Sequence, residues 1–457
     1  MAFSHRKCKK LGQSALLRHN QRAVYTRSTL ILRFKVDNFR SFRDAQELSL
    51  VASSRGEYED SVVRPDGFGE GLLRIAAIYG ANASGKSTLL RAMDFFVDAV
   101  RDSQNSWSPE AKIPTWPFAL GEIKNEVSMF QLDFLVDGGR FQYGFSLDSS
   151  QIIREWLHSY PRGKRQVWFD RDNSSGTQIK FGKHLLGENR AIQNLTRNNS
   201  LFLSAAAQNN HEMLLPIFKW ITSKITFLFQ GRSHIDPEQA QRLENESLKE
   251  RISKLLCHAD LGIVGIELQH EAVDEKIAVV MDEVVKKVAE LSPTSRPFRF
   301  TAPREFYRAL LLHQGANGTK VTLNNNFESA GTVAFLCLLD PVLEAIENGG
   351  VLCVDELDAS LHPLLALEIV RLFHDPDRNR SGAQLIFNTH DVNLLDADVL
   401  RRDEVWFTEK DQDGATHLYS LSDFKPRKSE NLKRGYLQGR YGAVPYLGSM
   451  KFESSEV

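Results

Sequence analysis

The chain has 457 residues, of which 42% are hydrophobic, and its formal net charge is -1. That much apolar material is enough for a large core and more than one folding unit, which excludes a small disulfide-stabilised or disordered protein. The near-zero charge excludes nucleic-acid binding through a global basic field, so such a contact would need a local patch. The sequence has 4 cysteines without paired C-x-x-C spacing. This argues against a cysteine-rich zinc site and favours a reducing, cytoplasmic location.

The N-terminal segment 1–30 is basic and contains no acidic residue. It lacks the apolar stretch of a secretory signal, and no apolar run in the chain approaches the roughly 20 residues of a membrane-spanning helix. We therefore expect no membrane contact. A basic leader is compatible with a transit peptide or a nucleic-acid contact, but a disordered tail ahead of the first domain is the favoured interpretation.

Folded structure is predicted to begin at 32–42, where apolar residues alternate as in a β-strand. The continuous apolar run 72–79 predicts a short strand that is buried on both faces. Further on, two aromatic and β-branched runs within 129–147 flank the turn sequence Asp137-Gly138-Gly139, which favours a hairpin. Similar runs continue to residue 181. We therefore predict an antiparallel β lobe in this part of the chain.

The sequence pattern becomes helical between 189 and 295, and the mixed charges of 237–256 are typical of a solvated helix. We predict an inserted helical subdomain here. Beyond it, strands alternate with helices, which indicates a largely parallel sheet. The predicted strands are 298–301, 320–323, 351–354 and 384–387, and the helix is 331–347. The predicted division is a leader (1–30), an N-terminal half of the core with the β lobe (31–188), the helical insert (189–295) and a C-terminal half (296–457).

Residues 80–87 read GANASGKS and match the phosphate-binding loop G-x-x-x-x-G-K-S/T. The match follows the predicted buried strand and precedes a predicted helix over 88–100, which is the context that distinguishes it from a chance glycine-rich turn. In such a loop, backbone N–H groups and a helix N-terminus face the phosphate oxygens. Lys86 is predicted to reach the β- and γ-phosphates, and Ser87 to supply its hydroxyl to Mg²⁺.

A pair of carboxylates lies far downstream, where the apolar strand 351–354 ends in Asp355 and Glu356. Asp355 can hold Mg²⁺ through water, and Glu356 can polarise the water that attacks the γ-phosphate. On its own, this pattern more often marks a helix cap or a surface turn. The phosphate loop is what favours the metal-site interpretation.

Two further segments carry candidate phosphate contacts. Ser329 and Gly331 precede a helix by one turn, so a hydroxyl, a glycine N–H and the helix dipole could hold a phosphate from outside. An ordinary N-cap by Ser329 is the alternative. His390 follows the strand 384–387, where it could sense the γ-phosphate and orient the attacking water. A single histidine in this position is usually structural, so its role as a phosphate sensor is favoured only by the order of all the motifs together.

That order resembles the ATP-binding-cassette (ABC) ATPases, in the branch that contains the SMC-like, RecF-like and OLD-like proteins. More narrowly, four segments resemble the AAA-type ATPases of bacterial abortive-infection operons, the AbiL-like group. These are 328–332 (ESAGT), 354–363 (VDELDASLHP), 406–410 (WFTEK) and 439–445 (GRYGAVP). The resemblance extends from Leu32 to Gly448. It implies an α/β fold of the ABC-ATPase head type and Mg²⁺-dependent hydrolysis of ATP.

The resemblance also implies roles for individual residues. Ser329–Thr332 are similar to a shortened signature motif, Asp358–His362 to the D-loop and His390 to the switch histidine. Arg40 is implied to contact nucleotide, with a solvated strand-end arginine as the alternative. The implied nucleotide-binding residues are Gly80, Asn82, Ser84, Gly85, Lys86, Ser87, Thr88, Arg40, Ser329, Gly331 and Thr332; the metal ligands are Ser87 and Asp355, and the catalytic residues are Glu356 and His390.

Partners are implied in the same way. In this family the signature motif of one subunit completes the phosphate site of another, so a homodimer is expected. These ATPases resemble the regulatory half of antiphage systems that answer a phage-encoded trigger and control a separately encoded effector, such as a Toprim- or RloB-like nuclease or another toxin. Basic and aromatic groups over 425–441 could contact nucleic acid or the effector, with a solvated tail as the alternative.

Two other functions stay open. A DNA-repair ATPase of the SMC or RecF type is disfavoured because no long heptad run lies between Lys86 and Ser329 to form a coiled-coil arm. A self-contained ATP-regulated nuclease is disfavoured because the sequence shows no spare acidic cluster. The roughly 65 residues after His390 are also too few for a Toprim nuclease domain of ordinary size.

Overall fold

The computed structural model describes residues 29–53, 58–121, 126–174, 176, 178–229, 235, 237–259, 262–291, 305–323, 327–396, 399–427 and 430–445. The predicted strand 298–301 and nearly all of the predicted leader 1–30 lie outside these residues. The helices are α1 (Lys86–Asp102), α2 (Asn189–Leu195), α3 (Phe202–Gln208), α4 (Leu215–Lys224), α5 (Pro237–Arg242), α6 (Glu246–His258), α7 (Glu275–Leu291), α8 (Ala330–Asn348), α9 (Pro363–His374) and α10 (Leu432–Leu437). Among these described helices, none is both long enough and apolar enough to span a membrane.

The strands are β1 (Leu30–Asp37), β2 (Gln46–Ser49), β3 (Ile75–Gly80), β4 (Ser128–Val136), β5 (Gly139–Leu147), β6 (Ile152–Ser159), β7 (Gln166–Asp172), β8 (Gln178–Phe181), β9 (Ile225–Leu228), β10 (Ile263–Ala272), β11 (Glu305–Gln314), β12 (Lys320–Leu323), β13 (Val351–Val354), β14 (Gln384–Asn388), β15 (Val405–Lys410) and β16 (Thr416–Ser420). They form three sheets within the described part of the chain.

The central sheet has the strand order β16-β15-β3-β14-β13-β9. All of its strands except β16 run parallel to their neighbours. Alternate residues of β3 pack into different cores: Ile75, Ala77 and Tyr79 face one, whereas Ala76 and Ile78 face the other. Burial on both faces explains why this segment is apolar throughout. The predicted mixed, largely parallel sheet flanked by helices is confirmed.

The β lobe is an antiparallel sheet with the order β2-β1-β4-β5-β6-β7-β8. Its β4–β5 hairpin turns at Asp137 and Gly138, whose φ angles of 51° and 80° are those of a type I′ turn. The lobe packs on α1, where the ring of Phe96 stacks on Phe145 at a centroid distance of 5.4 Å. The predicted antiparallel lobe is therefore confirmed, and it lies against the helix that follows the phosphate loop.

A buried glutamine joins the lobe to the central sheet. The Gln384 side-chain oxygen accepts the N–H of Ile31 at 2.7 Å, and its amide nitrogen donates to the carbonyls of Ile31 at 3.0 Å and Leu73 at 2.9 Å. These bonds satisfy the N–H and carbonyl groups of Ile31 in β1 and the carbonyl group of Leu73, just before β3. They fix β1 relative to the sheet that carries the phosphate loop.

The segment 189–295 contains helices, as predicted, but also two strands. β9 pairs in parallel with β13 and so belongs to the central sheet, while β10 forms a small antiparallel sheet with β11 and β12. β9 escapes sequence analysis because it follows α4 without an intervening turn. The charged stretch 237–256 is likewise two helices, α5 and α6, and the buried Ile252 and Leu256 show that α6 is only partly solvated. The division of the chain into domains stays a prediction.

Candidate active site

The GANASGKS loop leaves the carboxyl end of β3 and enters α1. Gly85, the last residue before the helix, has a φ of 111°, which side chains with a Cβ rarely adopt. A Cβ on Gly85 would lie 2.4 Å from Thr416 Oγ1, and one on Gly80 would lie 2.5 Å from Ser84 Oγ. The loop is therefore packed so closely on the strands around it that both glycines are required.

Lys86 lies inside this loop and is only 6% exposed. Its Nζ donates to the carbonyl oxygens of Gly80 at 2.9 Å and Ala81 at 3.0 Å. Burial lowers the pKa of Lys86, and the negative charges of Glu356, Asp358 and Asp355 act in the opposite direction. The ammonium group is thus held at the base of the loop, next to the predicted catalytic carboxylate.

Ser87 and Asp355, the two predicted metal ligands, contact each other. Ser87 Oγ donates to Asp355 Oδ1 at 2.6 Å, and Asn388 Nδ2 donates to the same oxygen at 2.5 Å. Asn388 Oδ1 in turn accepts the N–H of Glu356 at 2.7 Å. Asn388 is fully buried at the end of β14, so it fixes both carboxylate residues relative to α1. Sequence reasoning missed it, although a polar residue closing an apolar strand was a usable signal.

The donor atoms of this pair suit a hard cation. Mg²⁺ prefers oxygen ligands and is commonly bound by one or two carboxylates together with substrate phosphates and water. The Ser87 hydroxyl and the Asp355 carboxylate match that description and are already adjacent. In the described part of the chain, no cluster of three or more His, Cys, Asp or Glu side chains is arranged to hold a metal.

A cleft of about 370 Å³ brings most of the predicted site residues together. His390 and Glu356 lie on its wall beside β13 and β14. The backbone N–H of His390 donates to both carboxylate oxygens of Asp358, at 3.3 Å each, which links the His390 backbone to the predicted D-loop segment. The described residues that line the cleft are Ser41, Asn82, Ala83, Ser84, Gly85, Lys86, Ser87, Thr88, Glu356, His390 and Lys410.

The Arg40 side chain packs on aromatic rings, whereas that of its neighbour Ser41 lines the cleft. The Arg40 guanidinium carbon lies 5.4 Å from the ring centroid of Trp116 and 5.7 Å from that of Phe39. Ser41 lines the cleft instead and donates to Thr88 Oγ1 at 3.4 Å. The nucleotide contact of Arg40 stays a prediction, and Ser41 is a cleft residue that sequence reasoning missed.

The signature-like residues lie at the start of α8, outside the described residues that line the cleft. Ser329 Oγ accepts the N–H of Thr332 at 3.1 Å, so it is the N-cap of the helix. Gly331 packs against the D-loop segment, because a Cβ there would lie 2.6 Å from the carbonyl oxygen of Ser360. Ser329 therefore caps its own helix and Gly331 packs on the predicted D-loop segment, while the phosphate contacts of Ser329, Gly331 and Thr332 stay a prediction.

The basic segment near the C-terminus is partly built into the core. Tyr441 is 1% exposed and its ring stacks on Phe407 at a centroid distance of 5.9 Å. Arg440 pairs with Glu430 at 2.7 Å. Tyr441 is therefore not available as the exposed aromatic that the nucleic-acid interpretation of 425–441 used.

The chain is similar to several solved structures, including the following two. The Smc head domain with an extended coiled coil, bound to the C-terminal domain of ScpA, from Pyrococcus furiosus, shares 13% identity over 87% of this chain and 97% of that chain, with a TM-score of 0.38. The post-hydrolysis dimer of the ATP-binding cassette MJ0796, bound to ADP and Pi, shares 13% identity over 85% of this chain and 98% of that chain, with a TM-score of 0.23. No curated protein matches the sequence.

Residues 75–396 match the family model described as "AAA_21: AAA domain, putative AbiEii toxin, Type IV TA system". The match begins at β3 and runs through the phosphate loop, the carboxylates at the end of β13 and His390. It covers well over half of the sequence. The chain therefore belongs to this family of AAA-type ATPases.

Proposed function

We propose that the chain binds ATP with Mg²⁺ in the cleft and hydrolyses it. The observation that carries this proposal is the hydrogen-bonded cluster of Ser87, Asp355 and Asn388 next to the phosphate loop, in which Asn388 also accepts the backbone N–H of Glu356. It supports Ser87 and Asp355 as a pair of metal ligands. Ser87 joins the end of the loop directly to the Asp355 carboxylate, and Asn388 holds that carboxylate and the backbone N–H of Glu356.

Each residue of the cleft then has a definite task. Lys86 exchanges its two carbonyl contacts for the β- and γ-phosphate oxygens, and the N-terminus of α1 adds positive potential. Mg²⁺ bound at Ser87 and Asp355 would neutralise charge on the phosphates. Glu356 accepts a proton from the attacking water, and His390, whose backbone N–H is held by Asp358, orients that water.

We further propose that two copies of the chain act together. Ser329 and Gly331 lie outside the cleft of their own subunit, yet they present a helix N-terminus of the kind that binds phosphate. A γ-phosphate held between Lys86 of one subunit and Ser329 of the other would join the two, and its hydrolysis would release them. The dimer is thus expected to depend on ATP.

We also propose that this switch serves antiphage defence. The family description names a putative AbiEii toxin and a Type IV TA system, and this association with a toxin system supports our proposal of a regulator that answers a phage-encoded trigger and controls a separately encoded effector, such as a nuclease. The chain should then be purified with its native gene neighbours, as wild type and as Glu356→Gln, and each complex weighed by light scattering. We expect a neighbour-encoded protein to co-purify in an ATP-dependent manner. If nothing co-purifies and the variant dimerises on DNA, the repair-type function replaces this one.

Asn388→Ala is expected to slow ATP hydrolysis by about 10- to 100-fold, the usual effect of losing a residue that orients metal ligands. The change removes a donor to the Asp355 carboxylate, which keeps its bond from Ser87, and removes the acceptor for the backbone N–H of Glu356, so both residues are held less firmly. Steady-state turnover at increasing Mg²⁺ concentration is the measurement.

Asn379→Ala is the matched control. Asn379 is also fully buried, and its amide bonds the carbonyls of Phe373 and Ala383, away from the cleft. Both variants should lose about 1–3 kcal/mol of stability from unsatisfied buried groups, but only Asn388→Ala should lose turnover. Equal turnover in the two variants would show that Asn388 has no positioning role.

A further inference from the structure

The β15–β16 hairpin forms the wall of the cleft opposite Glu356. In the central sheet β15 and β14 flank β3 on its two sides, and the phosphate loop leaves β3 between them. Glu356 and His390 lie on the β13–β14 side, whereas Lys410, the last residue of β15, lies on the other. Glu356 and His390, which are suited to contact the hydrolytic water, therefore lie at one end of the cleft. Lys410 lies at the other end.

Lys410 has a defined orientation in this wall. Thr408 pairs with Gly80 in the register of β15 and β3, and Thr408 Oγ1 lies 2.7 Å from Ser84 Oγ in the phosphate loop. Because alternate residues of a strand share a face, Lys410 lies on the same face as Thr408. Glu409 lies on the opposite face, where it accepts a hydrogen bond from Tyr419.

The hairpin is held firmly against the loop. Thr416, opposite Lys410 in the β15–β16 register, donates from Oγ1 to the carbonyl oxygen of Ser84 at 2.8 Å and lies 2.8 Å from Ser41 Oγ. Arg43 adds ion pairs with Asp411 at 3.2 Å and Asp413 at 3.0 Å in the connecting turn. The backbone of Lys410 is thus fixed relative to Lys86 before any ligand binds.

The Lys410 side chain itself is exposed in the cleft. Among the residues that the structure describes, no carboxylate oxygen lies within 4.0 Å of its Nζ. An ammonium group that is held at the edge of a phosphate site without a local counter-charge favours an anionic ligand.

We propose that Lys410 binds the α-phosphate of the bound nucleotide. The inference rests on the proposed function: if Lys86 takes the β- and γ-phosphates and Glu356 faces the γ-phosphate, the α-phosphate and the nucleoside extend toward the β15 side. Lys410 and Ser41 are the groups that line the cleft there. Lys410 distinguishes a nucleotide from pyrophosphate, and it contributes equally to ATP and ADP binding.

The test is calorimetric titration of Lys410→Gln with three ligands in the presence of Mg²⁺: ADP, a non-hydrolysable ATP analogue and inorganic pyrophosphate. Pyrophosphate needs only the two phosphate positions at Lys86. We expect the variant to bind ADP and the ATP analogue about tenfold more weakly, as for a lost hydrogen bond to a charged group, and pyrophosphate with unchanged affinity. Lys410→Arg should restore most of the affinity. Lys164→Gln, which removes an exposed positive charge from the β6–β7 turn, should bind all three ligands as the wild type does.

Three results would overturn the inference. Unchanged affinity for both ADP and the ATP analogue means that Lys410 makes no phosphate contact. A loss confined to the ATP analogue places Lys410 at the γ-phosphate, and an equal loss for pyrophosphate means that it acts only through the general potential of the cleft. These results differ from failure of the proposed function, in which the wild-type chain binds no nucleotide and Lys86→Ala changes nothing.

Discussion

Replacing Glu356 by glutamine is expected to lower the rate of ATP hydrolysis by about 10²- to 10⁴-fold, the usual contribution of a general base. The amide has the shape of the carboxylate but cannot accept a proton from water. The backbone N–H of Glu356 would still donate to Asn388, and Asp355 would keep both of its hydrogen bonds. ATP should therefore still bind, and the variant should accumulate as an ATP-bound dimer. Single-turnover phosphate release, with light scattering, measures both effects.

Glu409→Gln provides the matched control. Glu409 is an exposed carboxylate adjacent to a cleft residue, but its side chain lies on the other face of β15 and accepts from Tyr419 at 3.0 Å. We expect its turnover to equal that of the wild type. If Glu356→Gln and Glu409→Gln hydrolyse ATP at the same rate, a group other than Glu356 activates the water.

The site residues that can be predicted from the sequence are those that belong to a motif of consecutive residues or directly follow a recognisable strand. Lys86 and Ser87 belong to a continuous motif, and Asp355 and Glu356 follow directly on an apolar strand. Local patterning also predicts β3, the β4–β5 hairpin and α8, because burial on one or two faces leaves a periodic trace.

The missed parts depend on contacts between distant segments. Asn388 at the end of β14 reaches Asp355 after the neighbouring strand β13, and Thr416 reaches the carbonyl of Ser84 from 332 positions away in the sequence. Asn388 leaves only the weak signal of a polar residue that closes an apolar strand, and Thr416 has no local signature for its role. Lys410 is an ordinary polar strand end in the sequence, and it becomes a cleft residue only because β15 pairs in parallel with β3.

A buried ion pair in the β lobe offers the largest predicted effect on stability. Glu155 and Arg171 are both 0% exposed, and Glu155 Oε2 lies 3.6 Å from Arg171 Nη1. Glu155 also accepts the N–H groups of Phe202 at 2.6 Å and Leu203 at 2.9 Å, which begin α3. Burial raises the pKa of Glu155, while Arg171 and these N–H groups oppose that rise. The carboxylate therefore links β6, β7 and α3.

Glu155→Ala is expected to lower the free energy of unfolding by about 3–5 kcal/mol, because it leaves the Arg171 guanidinium buried without its counter-charge. The two N–H groups at the start of α3 would lose their acceptor as well. Urea unfolding followed by tryptophan fluorescence measures the loss, since Trp156 and Trp168 lie on β6 and β7.

The adjacent pair Arg154–Asp170 joins the same two strands at 3.6 Å, but its side chains are 52% and 30% exposed. Water and salt screen an exposed pair, so Asp170→Ala should cost no more than about 1 kcal/mol. Replacing both Glu155 and Arg171 by methionine should recover part of the stability lost in Glu155→Ala, because no unpaired charge then remains in the core. Losses of equal size for Glu155→Ala and Asp170→Ala would mean that burial does not govern the strength of this pair.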